Sequence, residues 1–114
     1  VIFRRNQIKT SGIPTDIFRM KDLTIIDFSH NSLRDVPSNV EYAKCAIVLN
    51  LSFNNIESIP NQVFNNLIDL IFLDLSNNKL DNLPAQLKRL INLQVLNLSN
   101  NPLKSFQFGS LKYD

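Results

Sequence analysis

The stretch that decides the fold is LIFLDLSNNKL, residues 70–80, in which alternate residues are aliphatic until the alternation breaks at Asn78. A period of two is typical of a strand with one buried face. The same template of four apolar positions and one asparagine occurs in three further units. The units begin at Leu23, Ala46, Leu70 and Leu93, so that successive steps are 23, 24 and 23 residues. A fixed spacing of this length indicates an array of structural repeats.

The chain of 114 residues is expected to form a single domain built from these repeats. We predict a partial repeat at 1–22, full repeats at 23–45, 46–69 and 70–92, and a final partial repeat at 93–114. Phe3, Asn6 and Ile8 match the second half of the template, so the sequence begins inside a repeat. No polar capping segment follows the last unit, and we therefore expect both ends to belong to a longer array.

Each unit reaches a proline after its asparagine, at Pro14, Pro37, Pro60 and Pro84. Proline ends backbone pairing and favours entry into a turn or short helix, so we expect it to open the return segment. Residues 85–90 are good helix formers, which predicts a helix there and looser turns in the other units. Strands lie about 4.8 Å apart and helices up to about 10 Å apart, so the strands should line the inside of a curve. The predicted fold is an α/β solenoid with a parallel sheet on the concave face and turns or short helices on the convex face.

The asparagines of the template lie where the chain turns inward between two buried positions. A buried turn leaves backbone groups without partners, and an asparagine amide offers two donors and an acceptor. We therefore predict a ladder of asparagine side chains, one in each unit, that bonds the turn of its own unit and that of a neighbour. The ladder residues are Asn31, Asn54, Asn78 and Asn101.

Composition argues against several classes of function. The net charge of +2 is dispersed, which favours neither nucleic acid nor a membrane surface as a partner. One histidine, His30, and two glycines give no metal cluster and no phosphate-binding loop, so we predict no enzyme, cofactor, metal or small-molecule substrate. Cys45 is the single cysteine, is expected to face the core or a loop, and favours an intracellular protein.

Residues between the buried leucines are predicted to point to the concave face, where they form three rows. The first row is Ile25, Val48, Phe72 and Val95; the second is Asp27, Asn50, Asp74 and Asn97; the third, just past the strands, is His30, Phe53, Asn77 and Asn100. The apolar first row, with Phe53, would form the kind of stripe that marks a contact site. The carboxylates of the second row would suit a partner that offers Lys or Arg beside an apolar surface. The structural alternative is that β-branched and aromatic residues simply suit exposed strand positions.

These units resemble the leucine-rich-repeat family over residues 1–111. SGIPTDIF (11–18), DLTIIDFSHNSL (22–33), VLNLSFNNIESIPNQVF (48–64) and DLIFLDLSNNKL (69–80) are similar to the repeat region of the flightless family, within the gelsolin superfamily. The two-residue expansion near 10–12 resembles a spacer of that region.

The resemblance implies an intracellular scaffold that recruits proteins to actin remodelling in the cytoplasm and to transcriptional coactivators in the nucleus. It also implies that the repeats bind proteins, coiled-coil partners among them, whereas actin is held by gelsolin-like domains that this sequence lacks. The rival hypothesis is a structural spacer that holds other domains apart and has no binding role of its own. The resemblance does not fix the contact residues, so the site prediction depends on the geometry of the rows.

Overall fold

The computed structural model describes residues 1–104, and its centre is a sheet of four parallel strands in sequence order. The strands are β1 (Ile25–Asp27), β2 (Val48–Asn50), β3 (Phe72–Asp74) and β4 (Val95–Asn97). Their register pairs Ile26 with Leu49, Leu49 with Leu73, and Leu73 with Leu96. The predicted alignment of template leucines across successive units is therefore confirmed.

The core is a stack of these template side chains. The middle residue of each strand is buried and its two neighbours are not, because alternate strand residues point to opposite sides of the sheet. A three-residue strand buries only one strand side chain, so each unit depends on the units beside it for its apolar contacts. Buried side chains from the turns and return segments complete the same cluster, among them Phe28, Phe64 and Leu80.

Within residues 1–104, the four return segments on the convex side are 3₁₀ helices, each preceded by one of the predicted prolines. Their bounds are Thr15–Arg19, Ser38–Tyr42, Asn61–Phe64 and Ala85–Arg89. The expectation of turns or short helices on this face is confirmed. The expectation that only residues 85–90 would be helical was wrong, because all four segments take the same conformation. The added residues Thr10–Gly12 form a further short 3₁₀ turn.

Side-chain spacing and length explain the 3₁₀ conformation. In a 3₁₀ helix residues three apart lie on one face, and the buried pairs Val40 with Ala43 and Leu87 with Leu90 have this spacing. A 3₁₀ helix also rises about 2.0 Å per residue, against about 1.5 Å in an α-helix, so five residues cover more of the convex path. A repeat of 23 or 24 residues thus crosses its convex side without a full α-helix.

The predicted asparagine ladder is present. Asn54 donates through Nδ2 to the carbonyls of Phe28 (3.0 Å), Leu51 (3.0 Å) and Ser52 (3.2 Å). Its Oδ1 accepts a hydrogen bond from the backbone N–H of Leu33 at 3.1 Å. The side chain therefore bonds its own turn and the turn of the preceding unit, and the other three ladder residues repeat the pattern.

The expected partial repeat at the start of the chain lies against β1. Ile2 pairs with Asp27 in a parallel bridge, and the backbone N–H of Phe3 donates to the Asp27 carbonyl at 2.7 Å. The end of the predicted final partial repeat, residues 105–114, lies outside the described residues. Within residues 1–104, no helix is long and apolar enough to cross a bilayer.

Candidate partner-binding face

The strand register aligns the first and second predicted rows side by side across the sheet. The first row is a straight line across the sheet, because Ile25 pairs with Val48, Val48 with Phe72, and Phe72 with Val95. Ile25 and Val95 are each 46% exposed, and the two side chains between them are half-buried. None of the twelve predicted face residues is buried, so all of them are accessible to a partner.

The second row has a structural role that the sequence reasoning missed. The Oδ1 atom of Asp74 accepts from the backbone N–H of Ser76 at 2.9 Å and from its hydroxyl at 2.6 Å. Asn50 bonds Ser52 in the same way, at 3.1 and 2.8 Å. These are Asx turns, in which a side chain caps the exit from its strand. The sequence signal is an Asp or Asn followed two residues later by Ser, and it occurs in all four units.

One member of this series differs. Asp27 accepts from the backbone N–H of Ser29 at 2.9 Å, but the Ser29 hydroxyl is buried and has no hydrogen-bond partner among the described residues. The second carboxylate oxygen of Asp27 lies 3.5 Å from Nε of Arg4. Asp27 therefore divides its oxygens between the turn and a basic side chain of the first, partial repeat.

The third row lies at backbone positions with positive φ, which the sequence reasoning did not predict. His30, Phe53, Asn77 and Asn100 have φ values of 57°, 56°, 57° and 59°. Asparagine adopts this left-handed conformation readily, whereas a bulky residue adopts it at a cost of order 1–3 kcal/mol. The backbone N–H of the first three positions reaches the next unit: His30 donates to the Ser52 carbonyl at 2.9 Å, Phe53 to the Ser76 carbonyl at 3.0 Å, and Asn77 to the Ser99 carbonyl at 2.9 Å.

Two rings of the third row stack on each other at the edge of the apolar stripe. The centroids of the His30 and Phe53 rings lie 4.4 Å apart, with an angle of 8° between the ring planes. Phe53 is nevertheless 48% exposed. His30 therefore adds a second ring to the exposed aromatic surface at Phe53.

Other surface features offer no competing chemistry. Within residues 1–104, no group of three His, Cys, Asp or Glu side chains could hold a metal ion. An open depression of about 730 Å³ past the third row is polar, and Arg34 and Glu57 form an ion pair of 3.1 Å in its lining. Cys45 is exposed and lies in a turn, so the loop alternative of the prediction is confirmed and the core alternative was wrong.

Comparison with known proteins supports the repeat assignment. The leucine rich repeat family model matches residues 48–108. The flightless-1 homolog of Caenorhabditis elegans is 71% identical over 71 residues, which is 62% of this chain and 6% of that protein. The chain therefore spans only a small part of the relatives that it matches.

Solved structures agree with this assignment. A leucine-rich-repeat protein of Leptospira interrogans superposes with a TM-score of 0.85 at 31% identity, over 92% of this chain and 26% of that one. A chain of the BIR3–SERK2 complex from Arabidopsis thaliana superposes with a TM-score of 0.76 at 33% identity, over 91% of this chain and 56% of that one. From the repeating leucines, the asparagine ladder and these matches together, this chain belongs to the leucine-rich-repeat family.

Proposed function

We propose that this chain is a protein-binding module that holds its partner on the concave strand face. The observation that carries the proposal is the accessible apolar first row, Ile25, Val48, Phe72 and Val95, with Phe53 beside it. A parallel sheet usually has both faces covered, and here one face is packed on the core while the other is open. An apolar stripe rimmed by polar side chains is typical of a protein contact site.

The similarity to flightless-1 homologs extends the proposal to cellular context. We propose a scaffold that recruits proteins, coiled-coil partners among them, to actin remodelling in the cytoplasm and to coactivators in the nucleus. A protein partner is also consistent with the structural likeness to a chain of the BIR3–SERK2 complex. Binding rather than catalysis suits this face, because the polar side chains of its second row are amides and carboxylates that cap turns.

The test is affinity capture followed by mass spectrometry, with the wild-type chain and a Val48→Ser/Phe72→Ser variant. Both side chains are half-buried on the concave face, so their loss should remove apolar contact area without opening the core. The matched control is Ile68→Ser/Ile91→Ser, because these residues lie outside the predicted face and are 52% and 69% exposed. Circular dichroism of all three proteins checks that the fold is retained.

We expect proteins captured by the wild type to be lost with the concave-face variant and retained with the control. Equal capture by all three proteins would refute the concave face as the binding surface. A wild-type chain that captures nothing above a bead background would instead favour the spacer hypothesis.

A further inference from the structure

We infer, on the basis of the proposed function, that the concave face receives an arginine side chain of the protein partner between the Phe53 ring and the Asp74 carboxylate. The inference names the chemistry of the partner and the two residues that select it. Three observations support it: the position of Phe53, the attachment of both residues to Ser76, and the charge of Asp74.

Phe53 lies where the fold alone would favour a different residue. Its φ of 56° is left-handed, and the equivalent positions of the next two units are occupied by Asn77 and Asn100. A half-exposed phenylalanine at such a position has an unfavourable backbone conformation and gains little from burial. Strained residues of this kind cluster at functional sites, and here the exposed ring provides a contact surface.

Phe53 and Asp74 are linked through Ser76 of the unit of β3. The Phe53 and His30 rings are nearly parallel and 4.4 Å apart, which is close to the spacing between neighbouring strands. One face of the Phe53 ring is therefore covered by His30, and the backbone of Phe53 is bonded to the unit of β3. In that unit Ser76 accepts the Phe53 N–H at 3.0 Å, and the Ser76 hydroxyl donates to Asp74 Oδ1 at 2.6 Å.

Asp74 presents a fixed and unpaired negative charge. Its Oδ1 is held by Ser76, so the carboxylate is oriented before a partner arrives, and within residues 1–104 no basic side chain pairs with it. Its neighbours across the sheet are the neutral Asn50 and Asn97. Asp27, the other acid of the row, already has Arg4 at 3.5 Å.

An aromatic face beside a fixed carboxylate suits arginine better than lysine. The guanidinium is planar, so it stacks on a ring and at the same time directs N–H groups at a carboxylate. A lysine ammonium is a compact, strongly hydrated charge and does not stack in this way. The apolar first row beside the pair would contact the aliphatic part of the same partner segment.

The test is selection of random twelve-residue displayed peptides on the 114-residue chain, followed by affinity measurements on single synthetic peptides. We expect enrichment of arginine next to apolar residues. Replacing that arginine by citrulline or lysine should weaken the Kd at least about tenfold, as expected for loss of a charge-assisted hydrogen bond. Asp74→Asn and Phe53→Asn should each produce a loss of the same order.

Other units of the chain already carry the residues that Asp74→Asn and Phe53→Asn introduce. Asn50 and Asn97 already cap the turns at the position of Asp74, and Asn77 and Asn100 occupy the position of Phe53, so neither variant should lower the midpoint of urea unfolding. Asp69→Asn, which removes the charge of an exposed acid outside the concave face, should leave the Kd within about twofold.

The outcomes separate this inference from the proposed function. Peptides that lack arginine, or that bind Asp74→Asn as tightly as wild type but lose binding to Phe72→Ser, would overturn the arginine site and leave the concave face supported. Failure to select any peptide, or selected peptides that bind all of these variants equally, would overturn both.

Discussion

Replacement of Asn78 by alanine tests whether the asparagine ladder stabilises the fold as the geometry indicates. Its Nδ2 donates to the carbonyls of Leu51, Leu75 and Ser76 at 3.0, 3.0 and 3.1 Å, and its Oδ1 accepts from the Ile56 N–H at 3.1 Å. Because Nδ2 has only two hydrogens, one hydrogen is shared between two of the carbonyls, and at about 1 kcal/mol for each full bond simple addition would give a loss of about 3 kcal/mol. The sharing of acceptors in the ladder predicts a smaller loss.

Each of the three carbonyls accepts a second hydrogen bond. The Leu51 carbonyl also accepts from Asn54 Nδ2 at 3.0 Å, and the Leu75 carbonyl from Asn101 Nδ2 at 2.9 Å. The Ser76 carbonyl also accepts from the Phe53 N–H at 3.0 Å. Only the Ile56 N–H therefore loses its single partner. One buried and unsatisfied N–H costs about 1–3 kcal/mol, which is the loss of unfolding free energy that we expect for Asn78→Ala.

The same sharing predicts coupling between neighbouring rungs. Asn54→Ala alone leaves the Leu33 N–H without its partner, but in Asn54→Ala/Asn78→Ala the Leu51 carbonyl also loses both of its donors. The double variant should therefore lose at least about 1 kcal/mol more than the sum of the single variants. Asn31→Ala/Asn78→Ala is the control, because these two side chains share no acceptor and should be additive within about 0.5 kcal/mol.

The assay is urea unfolding followed by far-ultraviolet circular dichroism, with calorimetry as a second probe. Agreement of the two probes and a constant m-value would show that the variants share one cooperative transition. A coupling below about 0.5 kcal/mol for the adjacent pair would refute the shared-acceptor reasoning. Equal coupling in the adjacent and the separated pair would refute it as well.

Three further predictions concern single side chains. Leu73→Ala should lower the free energy of unfolding by about 2–5 kcal/mol in the urea assay, because Leu73 is fully buried between Leu49 and Leu96. Val95 is half-exposed, so Val95→Ala should change the free energy of unfolding by less than about 1 kcal/mol in the same assay. Ser29→Ala should leave the free energy of unfolding unchanged or raise it, because the buried Ser29 hydroxyl has no hydrogen-bond partner among the described residues. Ser76→Ala should lower the free energy of unfolding by about 1 kcal/mol, because the hydrogen bond to Asp74 is lost. Thermal unfolding measures both. Cys45 should react with a maleimide in the folded protein at a rate close to that in urea, as measured by mass spectrometry, because its thiol is exposed.

The sequence was sufficient for the features that follow from periodicity. A template that repeats every 23 or 24 residues aligns Leu49, Leu73 and Leu96, because a parallel strand in each unit pairs with the same strand of the next. Accounting for buried backbone groups predicted the role of Asn54 and its equivalents, since few other side chains supply donors and an acceptor at a buried turn. The three rows followed from strand alternation once the buried face was known.

The sequence reasoning failed where two conformations share one pattern. Apolar residues three apart, such as Leu87 and Leu90, fit either an α-helix or a 3₁₀ helix. The good helix formers at 85–90 wrongly suggested that this return segment would be helical and the others would not. The length of the convex path decides between the two, and it follows from the stacked units rather than from any one segment. The left-handed residues were missed for a related reason, because His30 and Phe53 occupy positions at which propensity favours asparagine.

The second row shows why residue type alone does not define this site. Asp74 and Asn50 are interchangeable as turn caps, because each uses only Oδ1 to hold the serine two residues later. Stability therefore does not determine which of the two residues occurs at a given unit, and the remaining side-chain atoms face solvent. A carboxylate at Asp74, where an amide would cap the turn equally well, adds a negative charge to the concave face without a structural need for it. Neither turn capping nor packing requires the charge of Asp74 or the strained backbone of Phe53, whereas the proposed arginine site would use both.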